Sequence, residues 1–377
     1  MKKKSILLMI LVVMAAFYTY TDVYADTATY KTKYGTYTYT DDPNSDGIKL
    51  TRYKEKKRRT AIYIPSDIDG KKVTSLGSHL FGPEDDVDVF VKKLVIPDTV
   101  IRLEDSCLDD VGTMTSVVIP DSVEYIGKRA FSSTSLKSVK LPKNLKVLKK
   151  YAFSGCSYME KISLPDSLTT IETGAVSYCG NLKKISIPKN VKKIEQGAFN
   201  GLNGLETIRV SSENKKYDSR ESCDAIIDTK ENELILACNN TVVPASVKVI
   251  GSYAFSYCDK LETLELPEGV ITIKAYAFQS NQTIKKMIIP STVKKIGNYN
   301  MPFATTEIVL KTTKLNSKTL GKSAFELPQM KNKVNIKLCH IVIKVPESKL
   351  SFYKKLIKKQ SGANFFKGIN PFEVVGM

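Results

Sequence analysis

Val91-Lys92-Lys93-Leu94-Val95-Ile96-Pro97 is one copy of a phrase that returns along most of the chain. An apolar residue is followed by two variable ones, an apolar, a variable, an apolar and a proline. The same order holds at Met114 to Pro120, Leu136 to Pro142, Met159 to Pro165, Leu182 to Pro188, Leu261 to Pro267 and Ile284 to Pro290. Pro97, Pro120, Pro142, Pro165 and Pro188 follow one another by 23, 22, 23 and 23 residues, and Pro244, Pro267 and Pro290 by 23. A fixed period in this range carrying L-x-x-L-x-L is the mark of a leucine-rich repeat solenoid, mostly β with turns and short helical segments.

The remainder of each period agrees. Three residues after the proline stand Val100, Val123, Leu145, Leu168, Val191, Val247, Val270 and Val293; six after it stand Leu103, Ile126, Leu148, Ile171, Ile194, Ile250, Ile273 and Ile296. Ten and eleven after it come Ala130-Phe131, Ala152-Phe153, Ala198-Phe199, Ala254-Phe255 and Ala277-Phe278. One rung cannot bury these side chains alone. Stacking against neighbours supplies ~1.5–3 kcal/mol per fully buried large side chain, which offsets the ordering entropy only when the next rung is present.

The alternation of Val139, Lys140 and Leu141 before Pro142 is a strand with one face inward. The proline, lacking an N–H and fixed in φ, ends that strand and turns the chain. Past it a short helical turn is expected around the Ala-Phe pair, and Gly127, Gly251 and Gly297, seven after their prolines, read as tight-turn glycines.

With Val, Ile and Ala-Phe following Leu-x-x-Ile-x-Ile-Pro, and Cys or Asn three residues after the phenylalanine, the pattern over roughly residues 60–335 resembles the BspA-like leucine-rich repeat proteins of bacterial surfaces. That resemblance implies a secreted or surface-attached binding protein, and the variant stretch from Val210 to Pro244 is similar to inserts of that family. It transfers no ligand-contact residue.

Lys2-Lys3-Lys4 ahead of the apolar run Ile6 to Phe17, with Val23-Tyr24-Ala25 behind it, is read as a secretory signal peptide over residues 1–25, cleaved after Ala25. The run is too short to span a bilayer. The chain carries 57 Lys and Arg against 39 Asp and Glu, a net charge of +18. Removing residues 1–25 leaves about +16, a field that attracts polyanions such as wall polymers or acidic glycans.

Part of that charge is ordered. Residues four and two before each proline face outward on the strand, and they include Lys93, Lys140, Lys161, Lys184, Arg209 and Lys286. On a concave sheet these six form a candidate surface for an anionic ligand. The alternative is that lysine merely solvates exposed strands and blunts edge pairing, a reading favoured by Glu160, Glu206, Glu262 and Glu265 among them.

Seven cysteines are present. Cys156, Cys179 and Cys258 share the position fourteen after a proline and read as packing thiols. Cys223 and Cys238 flank a hairpin in the insert, and a disulfide between them is expected in an exported chain. His79 and His340 are the two histidines and neither has ligand spacing with a cysteine, so no metal site is expected. No triad, paired-carboxylate or phosphate-loop pattern is legible, so no catalytic residue and no cofactor are assigned. Two acidic turns, Asp41 to Gly47 and Asp85 to Asp88, lack the closing glutamate of a calcium loop. Basicity without a helix-turn-helix, finger or RNA-binding signature gives no sequence-specific nucleic-acid partner.

The organisation that follows has four parts. Residues 1–25 are the export segment and 26–64 an N-terminal β cap, a hairpin around Tyr34, Tyr37 and Tyr39 with Lys54 to Arg59 as a solvated loop. Residues 65–335 are the solenoid, with an inserted rung at 211–243. Residues 336–377 are a C-terminal cap, in which a strand from Asn335 to Val345 leads through Pro346 into a helix burying Leu350, Tyr353, Leu356 and Ile357. The function expected is that of an exported, non-catalytic binding protein acting in protein–protein interaction or adhesion. The alternative is a charge-driven binder of anionic wall polymers or glycans.

Overall fold

Each proline sets the corner of a coil. In the structure of the chain, a computed structural model that describes residues 27–82, 89–325, 340–360 and 372–377, the proline carbonyl accepts a hydrogen bond from the residue three further on. Val100 N donates to Pro97 O at 3.1 Å, and the same turn closes at Val123, Leu145, Leu168, Val191, Val247, Val270 and Val293. The coils stack as a β-solenoid of about eleven turns. The export segment expected over residues 1–25, the turn from Asp85 to Asp88, Cys339 and the first part of the strand expected over Asn335 to Val345 lie outside the described residues.

Three hydrogen-bonded ladders run along the stack. The first is made by the strands before the prolines, paired in parallel: Ala61–Tyr63 with Lys93–Val95 and that with Ser116–Val118; Ser138–Lys140 with Lys161–Ser163; Lys184–Ile187 with Thr207–Val210. The second consists of two-residue strands that sequence periodicity did not reveal. Tyr125–Ile126 pairs with Arg102–Leu103, and Val147–Leu148, Thr170–Ile171 and Lys193–Ile194 follow in parallel. The isoleucine or leucine of each is the residue six after the proline, and Leu103, Ile126, Leu148 and Ile171 are completely buried.

The third ladder corrects the helical turn expected at the Ala-Phe pair. No rung holds a helix there. The turn places two residues per rung in the left-handed region, nine and thirteen after the proline: Arg129 and Ser133 (φ 57° and 56°), then Tyr151 and Gly155 (58° and 75°). With the backbone kinked this way, N–H groups point toward the next rung and carbonyls toward the previous one. Arg129, Phe131 and Ser133 donate to Lys150, Ala152 and Ser154, and Tyr151, Phe153 and Gly155 donate in turn to Thr173, Ala175 and Ser177. Phe131 and Phe153 stack face to face in the core at 5.0 Å.

The glycines seven after the prolines have a different cause from the tight turn expected. Their φ values are ordinary for any residue, but a Cβ at Gly127 would stand 2.5 Å from Asp105 N, and one at Gly251 2.7 Å from Leu234 O, both in the preceding coil. Close approach of neighbouring backbones excludes a side chain there.

The N-terminal end is closed by an antiparallel meander, Ala28–Lys31, Gly35–Asp41 and Ile48–Glu55, whose last strand pairs in parallel with Lys71–Leu76 of the first coil. The basic stretch after it is anchored rather than merely solvated: Arg58 lies 4.1 Å from the Phe90 ring centre and Arg59 3.8 Å from that of Tyr34. At the other end Ile341–Val345 joins the first ladder and pairs with Phe372–Gly376, a strand the sequence did not announce. The helix Leu350–Gln360 buries Tyr353, Leu356 and Ile357. Its Tyr353 hydroxyl donates to Thr312 O at 2.8 Å, and Gln360 Nε2 to Leu320 O at 2.8 Å, so the helix shuts the open end of the last coil.

Asp42, in the first acidic turn, has its carboxylate taken up by protein donors: Asn44 N at 3.0 Å, Thr74 Oγ1 at 2.8 Å, and the hydroxyls of Ser45 and Ser75. Burial alone would raise this carboxyl, but the bonds from Ser75, Asn44, Thr74 and Ser45 hold it below the usual carboxylate range. The depressed folded value stabilises the protein above the unfolded-state value near ~3.9, and that contribution is lost as pH falls through the folded value. Asp42→Asn is therefore expected to lower the melting temperature at neutral pH, with the deficit shrinking once pH falls below the unfolded-state value of ~3.9. Equal deficits in melting curves at both pH values would contradict the assignment.

Candidate binding surface

A solenoid displays what its strands turn outward, and the first ladder carries two outward columns. The column four before the proline runs Ala61, Lys93, Ser116, then Ser138, Lys161, then Lys184, Thr207, and past the insert Thr263, Lys286, Glu307. The column two before it runs Tyr63, Val95, Val118, then Lys140, Ser163, then Ser186, Arg209, and later Glu265, Ile288, Val309. The six basic residues singled out from the sequence thus divide four and two between columns, and within each sheet their neighbours are serine, threonine, alanine or glutamate.

Their electrostatic states also differ. Arg209 is ion-paired with Asp224. Lys286 and Lys344 clasp Glu307 from two rungs, at 3.2 and 3.1 Å, and the pair holds that carboxyl below its usual range. Lys93, Lys140, Lys161 and Lys184 are exposed and make no ion pair among the described residues. At the N-terminal end of the same face, Tyr63 and Val118 are 57% and 46% exposed, with Val95 half-buried between them. This apolar column was not picked out from the sequence. Its signal was present as Tyr63, Val95 and Val118 at the position where later rungs carry Lys140 or Arg209.

The insert is a spacer between two halves of the core. Its hairpin, Ala225–Asp228 with Glu233–Ala237, joins the second ladder through Val249–Ile250. Ile226, Leu236 and Cys238 pack on the N-terminal half, while Cys223, Ala225, Ile227, Leu234 and Ala237 pack on the C-terminal half. Asn214 fastens its leading edge, donating to Pro188 O at 2.7 Å and accepting from Tyr217 N at 2.8 Å.

That two-sided packing overturns the disulfide expected between Cys223 and Cys238, both of which are free and buried. The hairpin register sets Ala225 opposite Ala237. One step outward it aligns Cys238 with Asp224 rather than Cys223, and alternation then sends the two thiols to opposite faces. Cys238 Sγ donates instead to Asp224 O at 3.3 Å, and burial raises both thiols. Cys156 and Cys179 are packing groups, as read from the sequence: their Sγ atoms donate to Phe131 O and Phe153 O, each at 3.2 Å. Asn281, two rungs past the insert, makes the same bond to Phe255 O at 2.6 Å. Among the described residues no cluster of three potential metal ligands occurs, and no helix is long and apolar enough to cross a membrane.

A parallel solenoid with a proline-ended strand in each coil and an Ala-Phe turn defines a leucine-rich repeat scaffold. The family described as "BspA type Leucine rich repeat region" matches residues 87–220 and 233–354 in six copies, and the chain belongs to that family. Among solved structures it is similar to the pneumococcal vaccine antigen PcpA, at 16% identity over 93% of this chain and 98% of that one, with a TM-score of 0.66. A leucine-rich cell surface protein of Faecalibacterium prausnitzii is 19% identical over 75% of this chain and 94% of its own, with a TM-score of 0.48. No curated protein matches the chain.

Free thiols at the insert have a direct readout. Alkylation of the unfolded, unreduced protein is expected to label both Cys223 and Cys238 in peptide mass spectra; peptides joined through these residues would refute their opposite-face placement.

Proposed function

We propose that this chain is an exported, non-catalytic protein-binding scaffold of the bacterial surface, acting in adhesion or host interaction, with residues 1–25 removed on export. The observation that carries the reading is the outward apolar column Tyr63, Val95 and Val118, continued along the same face by unpaired lysines. Exposed aromatic and aliphatic side chains rimmed by charge are the composition of a protein-recognition patch. The family supports a binding role.

The second reading, charge-driven retention on anionic wall polymers or glycans, draws on Lys93, Lys140, Lys161 and Lys184, which have no carboxylate partner among the described residues. Salt separates the two, because contacts through exposed charges are screened over about 8–10 Å at physiological ionic strength whereas apolar contacts persist. The protein would be tested against immobilised matrix and serum proteins and against purified wall polymers, at low and high salt. Retention on a protein in high salt, weakened at least tenfold by Tyr63→Ser with Val118→Asp, is the expected result. Capture of every polyanion, abolished by salt or by Lys161→Glu with Lys184→Glu, would contradict it in favour of the second reading.

A further inference from the structure

The turn ladder is directional, so wherever it stops it leaves one kind of unpaired group. From Ser106 to Tyr178 four successive rungs donate three N–H groups each to the next coil, among them Leu108 to Ala130 O, Phe131 to Ala152 O, Phe153 to Ala175 O and Val176 to Ala198 O at 2.8–3.0 Å. At the following rung the insert intervenes. The N–H groups of Gly197, Phe199 and Gly201 have no acceptor among the described residues. Beyond the gap the ladder resumes only in part, with Ala237 N to Ala254 O at 2.7 Å and Phe255 N to Ala277 O at 2.8 Å, while the N–H groups of Tyr253, Tyr257, Phe278 and Ser280 also lack an acceptor among the described residues. Two side-chain atoms at the same place, Asn200 Oδ1 and Ser256 Oγ, are fully buried and likewise without a partner. Buried polar groups without a partner are costly and uncommon, and here two of them, Asn200 Oδ1 and Ser256 Oγ, border one gap beside the unpaired N–H groups of Gly197 and Phe199.

The gap is a cleft. Its inner part encloses about 230 Å³ and reaches Glu195, Phe199, Glu233 and Ser256; an outer part of about 430 Å³ reaches Tyr151 and Tyr178. Gln196, Gly197, Asn200 and Tyr253 border both. The outer part falls in the range of small-ligand sites, about 300–1,000 Å³, and the inner part lies below it. Tyrosines frame the mouth. Tyr178 lies over Gly201, where any Cβ would meet its ring, and packs edge to face on Tyr257 from the far side at 6.3 Å. Tyr253 begins a stack continued by Tyr276 and Tyr299 at 5.4 and 5.3 Å, so the ring face away from Tyr276 is turned to the cleft.

Charge at the walls is already compensated. Glu195 is bound by Lys193 at 2.8 Å and Glu233 by Lys274 at 2.7 Å. An occupant should therefore be neutral, accept hydrogen bonds from a row of N–H groups, both donate and accept at Asn200 and Ser256, and offer a flat C–H face to Tyr253. Pyranose sugars have this combination, since each hydroxyl is donor and acceptor and the ring carries an apolar face. An extended peptide fits less well. Its carbonyls on one edge repeat at about 6.6 Å, whereas the three N–H groups sit on a turn curled through left-handed residues at Gly197 and Gly201.

We propose that the cleft where the insert interrupts the turn ladder binds a short neutral glycan, with Tyr253 as the stacking platform and the Gly197–Gly201 turn, Asn200 and Ser256 as its hydrogen-bonding groups. This site is separate from the strand face, so its success or failure leaves the protein-binding reading standing.

Saturation-transfer difference NMR of the full protein with neutral mono- to tetrasaccharides tests it, alongside sialylated and sulfated glycans and unstructured peptides. At least one neutral sugar is expected to bind, unaffected by raising salt from 50 to about 500 mM, conditions that screen exposed charge. Tyr253→Asn, chosen because asparagine tolerates the left-handed conformation, should weaken it at least tenfold, and Ser256→Ala severalfold. Tyr299→Asn, at the far end of the stack, should leave it unchanged. Thermal melting and circular dichroism of the variants report their folding, and Ser256→Ala keeps the test open should Tyr253→Asn unfold. Absence of any neutral sugar signal, binding confined to acidic glycans and lost in salt, peptide binding in preference to sugar, or binding indifferent to both cleft variants would each overturn the proposal.

Discussion

Every coil of this molecule leaves an apolar edge that only the next coil can cover, and the requirement is met simultaneously at three places per turn. Residues such as Leu94, Leu103 and Leu108 are fully buried within one rung by the equivalents above and below. The hydrogen bonds obey the same logic, since strand, short strand and kinked turn all bond between coils. A rung removed from this environment keeps neither its core nor its backbone partners. The proline corner, the glycine at close approach and the left-handed turn residues are local means of returning the chain to the same register after about 23 residues.

The repeat, its period and its buried positions were legible because mutual burial restricts those sites to apolar residues, and apolarity survives as pattern. The closing helix was legible for the same reason, through Tyr353, Leu356 and Ile357. What escaped notice was built by backbone rather than by side-chain pattern. Two-residue strands are too short to show alternation, and left-handed positions held by Tyr151, Tyr253 and Arg129 do not announce themselves as glycine would. The disulfide was misjudged because sequence separation does not disclose hairpin register, and a single step there moves a thiol to the opposite face. On the candidate surface, the outward lysines were found, but their dilution by serine, threonine and glutamate depends on which coils are neighbours. The column of Tyr63, Val95 and Val118 occupies outward positions that the proline spacing defines, but those positions were read for charge alone.

The insert changes what the scaffold can present. A regular stack offers a uniform surface, whereas a hairpin packed on both faces stands between two core clusters and parts the turn ladder beside it. The first ladder gives a broad face suited to a macromolecular partner; the parted ladder gives a recessed site framed by tyrosine. Both rest on the same scaffold, one where stacking is regular and the other where it is interrupted.

Residue-resolved hydrogen exchange measures that stacking most directly. Amides of Phe131, Phe153 and Val176, which bond to the coil ahead, should exchange slowly, while Phe199 and Gly201 at the interruption should exchange far faster. Protection of Phe199 equal to that of Phe153, or rapid exchange throughout the turns from Ser106 to Tyr178, would contradict a ladder that is complete over those four rungs and broken at the insert.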